Sequence, residues 1–347
     1  MRALKTILII LLAVAAIVVI LGYVVGSPST VVQRSAQVEA PPDLIFPHVA
    51  SLRKMHTWSP WKDMEKGQVN RWEGEDGAVG SIQYWEGDTV GKGSQRITAL
   101  EQGRYVETEL KFLEPWEATS QVRLDLEPEG AGTKVTWTMT QENGFMGRVM
   151  SVFLDLDRMI GGDFEKGLAR LKELAEAEQA VLQAEMDART FGGYLIDTKE
   201  RPTTVFVGKR AKIGWDSMDD FMATSFPAIA KDLQAAGLST DGPPTGVYFL
   251  WDEKNKSTDL MVAYPVKGDA DLKVEGYTTH VVPACKVLHT VHLGSPELSE
   301  AAHVAMDEMI RANGLVHYGN VFEEYVVGMM NEPDMAKWVT HVQYMIQ

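Results

Sequence analysis

Histidine and cysteine set the first limits on the chemistry of this chain. His289 and His292 stand in an H-x-x-H pair, a spacing that invites a metal ion. They fall in and just after Pro283–Val291, which reads as a strand. Residues an odd number apart on a strand point to opposite faces, so the two cannot readily close on one ion. They read as a rim and a packing histidine, and no metal is expected. His48 and His56 have no obvious acidic partner or nucleophile, and read as surface or helix-face histidines rather than general bases. Cys285 is the one cysteine, which excludes an internal disulfide and any thiolate-held zinc or iron–sulfur centre. No cofactor is expected either. What remains is aromatic. Trp58, Trp61, Trp72, Trp85, Trp116 and Trp137 lie in the first half of the chain, six of its nine tryptophans. Trp58, Trp61, Trp85 and Trp116 are candidates to line an apolar pocket; packing in a core or at a rim is the other reading.

The chain that must position these residues has 347 of them, enough for two ordinary domains. Hydrophobic residues make up 45% and charged residues 23%, the balance of a folded protein. Acidic residues outnumber basic ones 48 to 33, for a formal charge of −15. So acidic a body repels phosphate backbones, and no nucleic-acid partner is expected.

Residues 7–25, ILIILLAVAAIVVILGYVV, form an uncharged apolar run that spans most of a bilayer core as a helix. Arg2 and Lys5 precede it, and the next basic residue is Arg34. That asymmetry places the N-terminus in the cytoplasm and everything after Ser27 outside, a single-pass inner-membrane topology. A cleaved signal peptide is the rival, but its apolar core would run roughly 7–15 residues, and the exit at Tyr23–Ser27 is an indifferent cleavage site. Gly22 and Gly26 make a GxxxG pair that permits a homodimer; small residues at a helix exit is the alternative.

Beyond a polar linker, Ser27 to Gln33, the pattern becomes β-rich. Val31–Val38 reads as a strand and Pro41-Pro42-Asp43 as a helix start. Strand-like stretches follow at Ser81–Trp85, Gly93–Leu100, Arg104–Leu113, Glu117–Leu126 and Thr133–Gln141. A helical region from Met146 to Arg189 closes the module, with an interruption expected at Gly161-Gly162. The motifs Thr57-Trp58-Ser59-Pro60-Trp61, Val90-Gly91-Lys92-Gly93-Ser94, Gly132–Trp137 and Met159–Leu168 resemble the SRPBCC family, the START-like, polyketide-cyclase type. The resemblance implies a helix-grip fold over residues 30–175 and a cavity for apolar ligands between sheet and helix.

After a helical linker, residues 176–197, the pattern repeats itself over residues 198–347. A strand at Pro202–Lys209 is followed by a helix from Ser217 to Ala236. A second strand at Pro283–Val291 is followed by a helix from Leu298 to Ala312. Each half finishes on a strand, Met261–Val266 and Trp338–Ile346. Two β-α-β-β units predict a pseudo-twofold sheet with both helices on one face and a groove on the axis. The fold class expected of the whole chain is therefore α+β with one transmembrane helix. Gly242–Asp252, Asp259–Val266 and Phe322-Glu323-Glu324-Tyr325 resemble the GyrI-like effector-binding domain. The resemblance implies a glutamate among aromatics that receives cationic, apolar compounds: Glu323, with Tyr248, Trp251 and Tyr325 as walls. Neighbours on a strand face opposite ways, so only one of Glu323 and Glu324 can serve. The ending Met329–Pro333 departs from the family's shorter turn.

These readings together predict an anchored, non-catalytic binder of small amphipathic molecules outside the cytoplasm. Two alternatives stand beside it. Glu323 could act as general base of a hydrolase or cyclase, or the modules could scaffold an envelope complex.

Overall fold

The computed structural model describes residues 2–269, 271–329 and 331–347. The chain forms two compact units, Met1–Gln183 and Ala184–Gln347.

The first unit begins with α1 (Arg2–Ile20), which widens into a π-helical turn at Leu21–Val25. The segment Lys5–Val25 is long and apolar enough to cross a membrane. Next come β1 (Ser29–Val38), α2 (Pro42–Ala50), α3 (Leu52–Trp58), β2 (Val69–Glu73), β3 (Ile82–Gly87), β4 (Gly91–Glu101), β5 (Tyr105–Glu114), β6 (Ala118–Glu129) and β7 (Gly132–Glu142). The seven strands make one antiparallel sheet in the order β1-β7-β6-β5-β4-β3-β2. A short helix, α4 (Phe145–Ser151), and the long α5 (Leu156–Ala188) follow.

Strand periodicity builds the core. On β7 the side chains of Val135, Trp137 and Met139 are buried, while Thr136 and Thr138 on the opposite face are only half-buried. Phe164, Leu168 and Leu171 of α5 join the same cluster, with Trp58 of α3. Trp137 stacks on Phe164 at 4.3 Å between ring centroids, and Trp58 meets Trp137 edge-on at 5.4 Å. Side chains fill this part of the space where a ligand cavity was expected.

Two local expectations change. Helix α5 runs unbroken through Gly161-Gly162, and the interruption falls earlier, at residues 152–155. Gly161 marks a close approach instead: the Arg34 guanidinium occupies the place a Cβ would take, held there by Asp157 and Glu165. The polar linker expected at Ser27 to Gln33 is shorter, because β1 already begins at Ser29. Asn143 Nδ2 donates to the Ser27 carbonyl (3.1 Å), the Asn143 amide to the Pro28 carbonyl (2.9 Å), and the Ser27 amide to Ser151 Oγ (3.0 Å).

The second unit opens with a small hairpin, β8 (Thr190–Phe191) and β9 (Tyr194–Leu195). Gly192 and Gly193 turn it with φ of 53° and 83°, values that favour glycine. The rest is β10 (Asp197–Arg201), β11 (Thr204–Gly214), α6 (Met218–Ala235), β12 (Thr245–Asp252), β13 (Ser257–Val266), β14 (Thr278–Val282), β15 (Cys285–Leu293), α7 (Glu300–Asn313), β16 (His317–Val327) and β17 (Val339–Ile346). These eight strands form one sheet, β10-β15-β17-β16-β12-β13-β11-β14. The order reads the same backwards when each of β10–β13 is exchanged with its counterpart in β14–β17. Helix α7 stops at Gly314, whose φ of 62° supplies a left-handed cap.

Alternation again sorts the side chains. Leu260, Val262, Tyr264 and Val266 of β13 pack with Ile229 and Leu233 of α6. Leu288 of β15 with Val342, Tyr344 and Ile346 of β17 pack with Ala302, Ala305, Met306 and Met309 of α7. Phe206, Val247, Met261, Ala263, Phe322 and Met345 gather in a separate cluster on the other face.

Candidate functional site

The central strand β16 carries the sequence Val321-Phe322-Glu323-Glu324-Tyr325, and its pleat parts the two carboxylates. Glu323 turns toward the helix-covered face and is 5% exposed. There its carboxylate accepts four hydrogen bonds. Tyr248 Oη and Tyr325 Oη each donate to Oε2 at 2.7 Å, and His303 Nε2 and Ser299 Oγ donate to Oε1 at 2.8 and 3.1 Å. A carboxylate only accepts, so His303 must carry its proton on Nε2. Its Nδ1 lies 3.0 Å from the Tyr344 hydroxyl. Ser299 and His303 lie just before and within the first turn of α7, whose N-terminal end is itself favourable to negative charge.

Register explains how the tyrosines reach. Gly246 of β12 pairs with Glu323. A Cβ on Gly246 would sit 3.1 Å from the Tyr248 ring and 3.2 Å from Tyr325 Oη, so the missing side chain leaves room for both rings. Beyond Tyr248 the β12–β13 register shifts between Tyr248 and Leu250. One extra residue brings Trp251, an odd three positions on, back toward Tyr248, with the rings edge-on at 6.1 Å. Trp251 stacks on Trp215 at 4.6 Å, and Lys256 Nζ lies 4.3 Å over the Trp215 ring. From α6, Phe226 meets Tyr325 edge-on at 5.7 Å, and Met222 Sδ lies 3.7 Å from its hydroxyl.

Electrostatics follow from this cage. Burial pushes the Glu323 carboxyl up, but the hydrogen bond and charge of His303, with the two tyrosine hydroxyls, outweigh it and hold it below the usual carboxylate value. Burial, reinforced by the carboxylate, keeps Tyr248 and Tyr325 protonated well above the ordinary phenol range. The site is a fixed negative charge in an aromatic shell.

Glu324 faces the other way. It pairs with Arg201 at 2.8 Å, and Arg201 also donates to Gln343 at 2.6 Å and lies 4.3 Å over the Phe322 ring. His289 and His341 meet edge-on beside that pair at 4.8 Å. Together they edge a shallow recess of about 330 Å³. Burial, with Lys199 and His341 nearby, lowers the His289 pKa to about 4. His292 turns to Tyr194 and the Ser295 carbonyl, so the H-x-x-H pair has separate neighbours. His48, read from sequence as lacking an acidic partner, meets Glu178 at 2.8 Å.

Of the residues singled out in sequence, Glu323, Tyr248, Trp251 and Tyr325 are brought together. The four tryptophans of the first unit do not gather as one set, although Trp58 and Trp61 both pack on Trp137. Trp58 is wholly buried and donates to the His48 carbonyl; Trp61 packs on Trp137 and Phe164; Trp85 packs on Phe112; Trp116 is 81% exposed. Sequence reading missed Ser299, His303, Trp215 and Tyr344. Ser299 and His303 are spaced i, i+4 at a helix start, the one signal that could have marked them. Met330, in the ending that departs from the family pattern, lies outside the described residues.

The model of a family described as polyketide cyclase / dehydrase and lipid transport matches residues 29–176, under half of the chain. No curated protein matches the sequence. Among solved structures, the EcmrR C-terminal domain is 22% identical with a TM-score of 0.40, covering 44% of this chain and 98% of that one. Protein CV1439 from Chromobacterium violaceum is 15% identical with a TM-score of 0.33, covering 42% and 96%. The Aha1 dimer from Colwellia psychrerythraea gives 17% and 0.32, covering 42% and 96%.

Proposed function

We propose that this chain is a membrane-anchored, non-catalytic binding protein for cationic amphipathic small molecules, with Glu323 as the charge that receives them. The observation that carries the reading is the buried, ionised Glu323 among Tyr248, Tyr325 and the Trp215–Trp251 pair. A carboxylate out of water is costly unless compensated, and hydroxyl dipoles with one imidazole supply only part of what a full positive charge would. Aromatic faces add cation–π attraction of about 0.5–2 kcal/mol each. The arrangement favours a binder over the general-base alternative. A general base working near neutral pH needs a carboxyl raised toward that value, whereas Glu323 is lowered. On this reading the apolar run 7–25 spans the inner membrane, and Arg2 and Lys5 ahead of it put the body outside the cytoplasm.

The test is calorimetric titration of an aromatic quaternary phosphonium into the full chain held in lipid nanodiscs, against empty nanodiscs. Glu323→Gln keeps the shape and removes the charge. It should weaken binding by roughly 30-fold or more, ~2 kcal/mol. Equal affinity in the two proteins would overturn the reading.

A further inference from the structure

The apolar helix near the N-terminus does not leave the first unit as a free tether. Its last turn packs on α4. A Cβ on Gly22 would lie 2.8 Å from the Phe145 ring and 2.9 Å from Val149, and Gly26 is pressed against the Arg148 backbone. Tyr23 lies 5.3 Å from Phe145 between ring centroids, with the Arg148 guanidinium 5.8 Å from the Tyr23 ring. The glycine pair that would permit a helix dimer is thus covered by the chain's own α4. The hydrogen bonds of Ser27 and Pro28 to Asn143 and Ser151 lock the same junction from the other side.

With Phe145 and Val149 turned to the helix exit, the rest of this segment is bare. Met146 (65%), Met150, Phe153 (67%) and Leu154 are exposed, as are Val24 and Val25 in the turn that packs on α4. So many exposed large apolar side chains in one short stretch are unusual on a soluble surface. From Phe145 to Leu154 the sequence FMGRVMSVFL holds no acidic residue and one cation, Arg148, in a chain with 48 acids. Apolar residues joined to a single basic residue and an adjoining tyrosine suit the boundary between headgroups and acyl chains.

We infer that α4 and the turn after it are a second membrane contact, lying in the interface of the bilayer that the apolar helix crosses, so that the first unit sits directly on the lipid. This rests on reading α1 as a membrane span. The occupant is a lipid surface containing anionic headgroups. Arg148 reaches the headgroup level, while Met146, Met150, Phe153 and Leu154 enter the acyl boundary.

The experiment uses the full chain in liposomes of phosphatidylethanolamine and phosphatidylglycerol. Single nitroxides are introduced through Val14→Cys, Phe153→Cys and Glu129→Cys, in a Cys285→Ser background whose fold is checked by circular dichroism. Relaxation by dissolved oxygen is compared with that by an aqueous nickel chelate. Positions 14 and 153 should respond more strongly to oxygen, and position 129 more strongly to nickel. An oxygen response at 14 with a nickel response at 153 leaves the span intact and overturns the interfacial contact. A nickel response at 14 overturns the span and the inference with it. Met150→Cys repeats the measurement on the same face should the label at 153 prevent folding.

Discussion

His303 touches Glu323 through one ring nitrogen and Tyr344 through the other, so removing it strips a donor from a buried charge. His303→Ala should therefore destabilise the second unit by about 1–3 kcal/mol, the cost of leaving a buried acceptor short of a donor. Denaturant titration read by circular dichroism checks this. His289 predicts a pH dependence. Its folded pKa of about 4 lies below the ordinary 6.5, so the unfolded chain binds the extra proton first. Its contribution to stability is present above about pH 6.5 and is lost as pH falls toward 4. Melting temperature should drop across that window, and His289→Asn should flatten part of the drop. Glu323 has the same sign in a more acidic range, because its lowered pKa gives stability that protonation removes.

At the scale of elements, glycines mark where backbones touch. Gly208 of β11 faces the Val262 carbonyl so closely that no Cβ fits. Gly208→Ala should cost about 1–3 kcal/mol by forcing the β11–β13 pair apart, visible as faster amide exchange along both strands. Elements were also where sequence reading did best. The two helices of the second unit fall within two residues of their expected ends, because amphipathic spacing and the Asn313-Gly314 stop are local signals. The adjacent carboxylates divide between faces as strand geometry requires. The rest was not local. Trp251 reaches Tyr248 through a register shift, which a strict two-residue period would forbid. Ser299 and His303 join the site through α7, and no spacing along the chain ties them to residue 323. The expected break at Gly161-Gly162 failed for a related reason: Arg34, far away in sequence, uses the room that looked like a helix breaker.

Over the whole molecule, the cores are separate. One cluster links α2, α3 and α5 to the seven-stranded sheet, and others serve the eight-stranded sheet. Calorimetry of the full chain should resolve two unfolding transitions, since cooperativity follows contiguous cores. Gly208→Ala should lower one of them and leave the other in place. A single transition that shifts as a whole would show the two units to be one cooperative body.

The stacked indoles of Trp215 and Trp251 give the protein a built-in optical probe. Two chromophores 4.6 Å apart with their planes tilted by 22° couple their excited states, and that coupling falls steeply as the rings separate. A near-ultraviolet dichroism band from this pair would follow movement beside Tyr248 without any added dye. Trp251→Phe, by erasing the band while leaving an aromatic face in place, would supply its own blank.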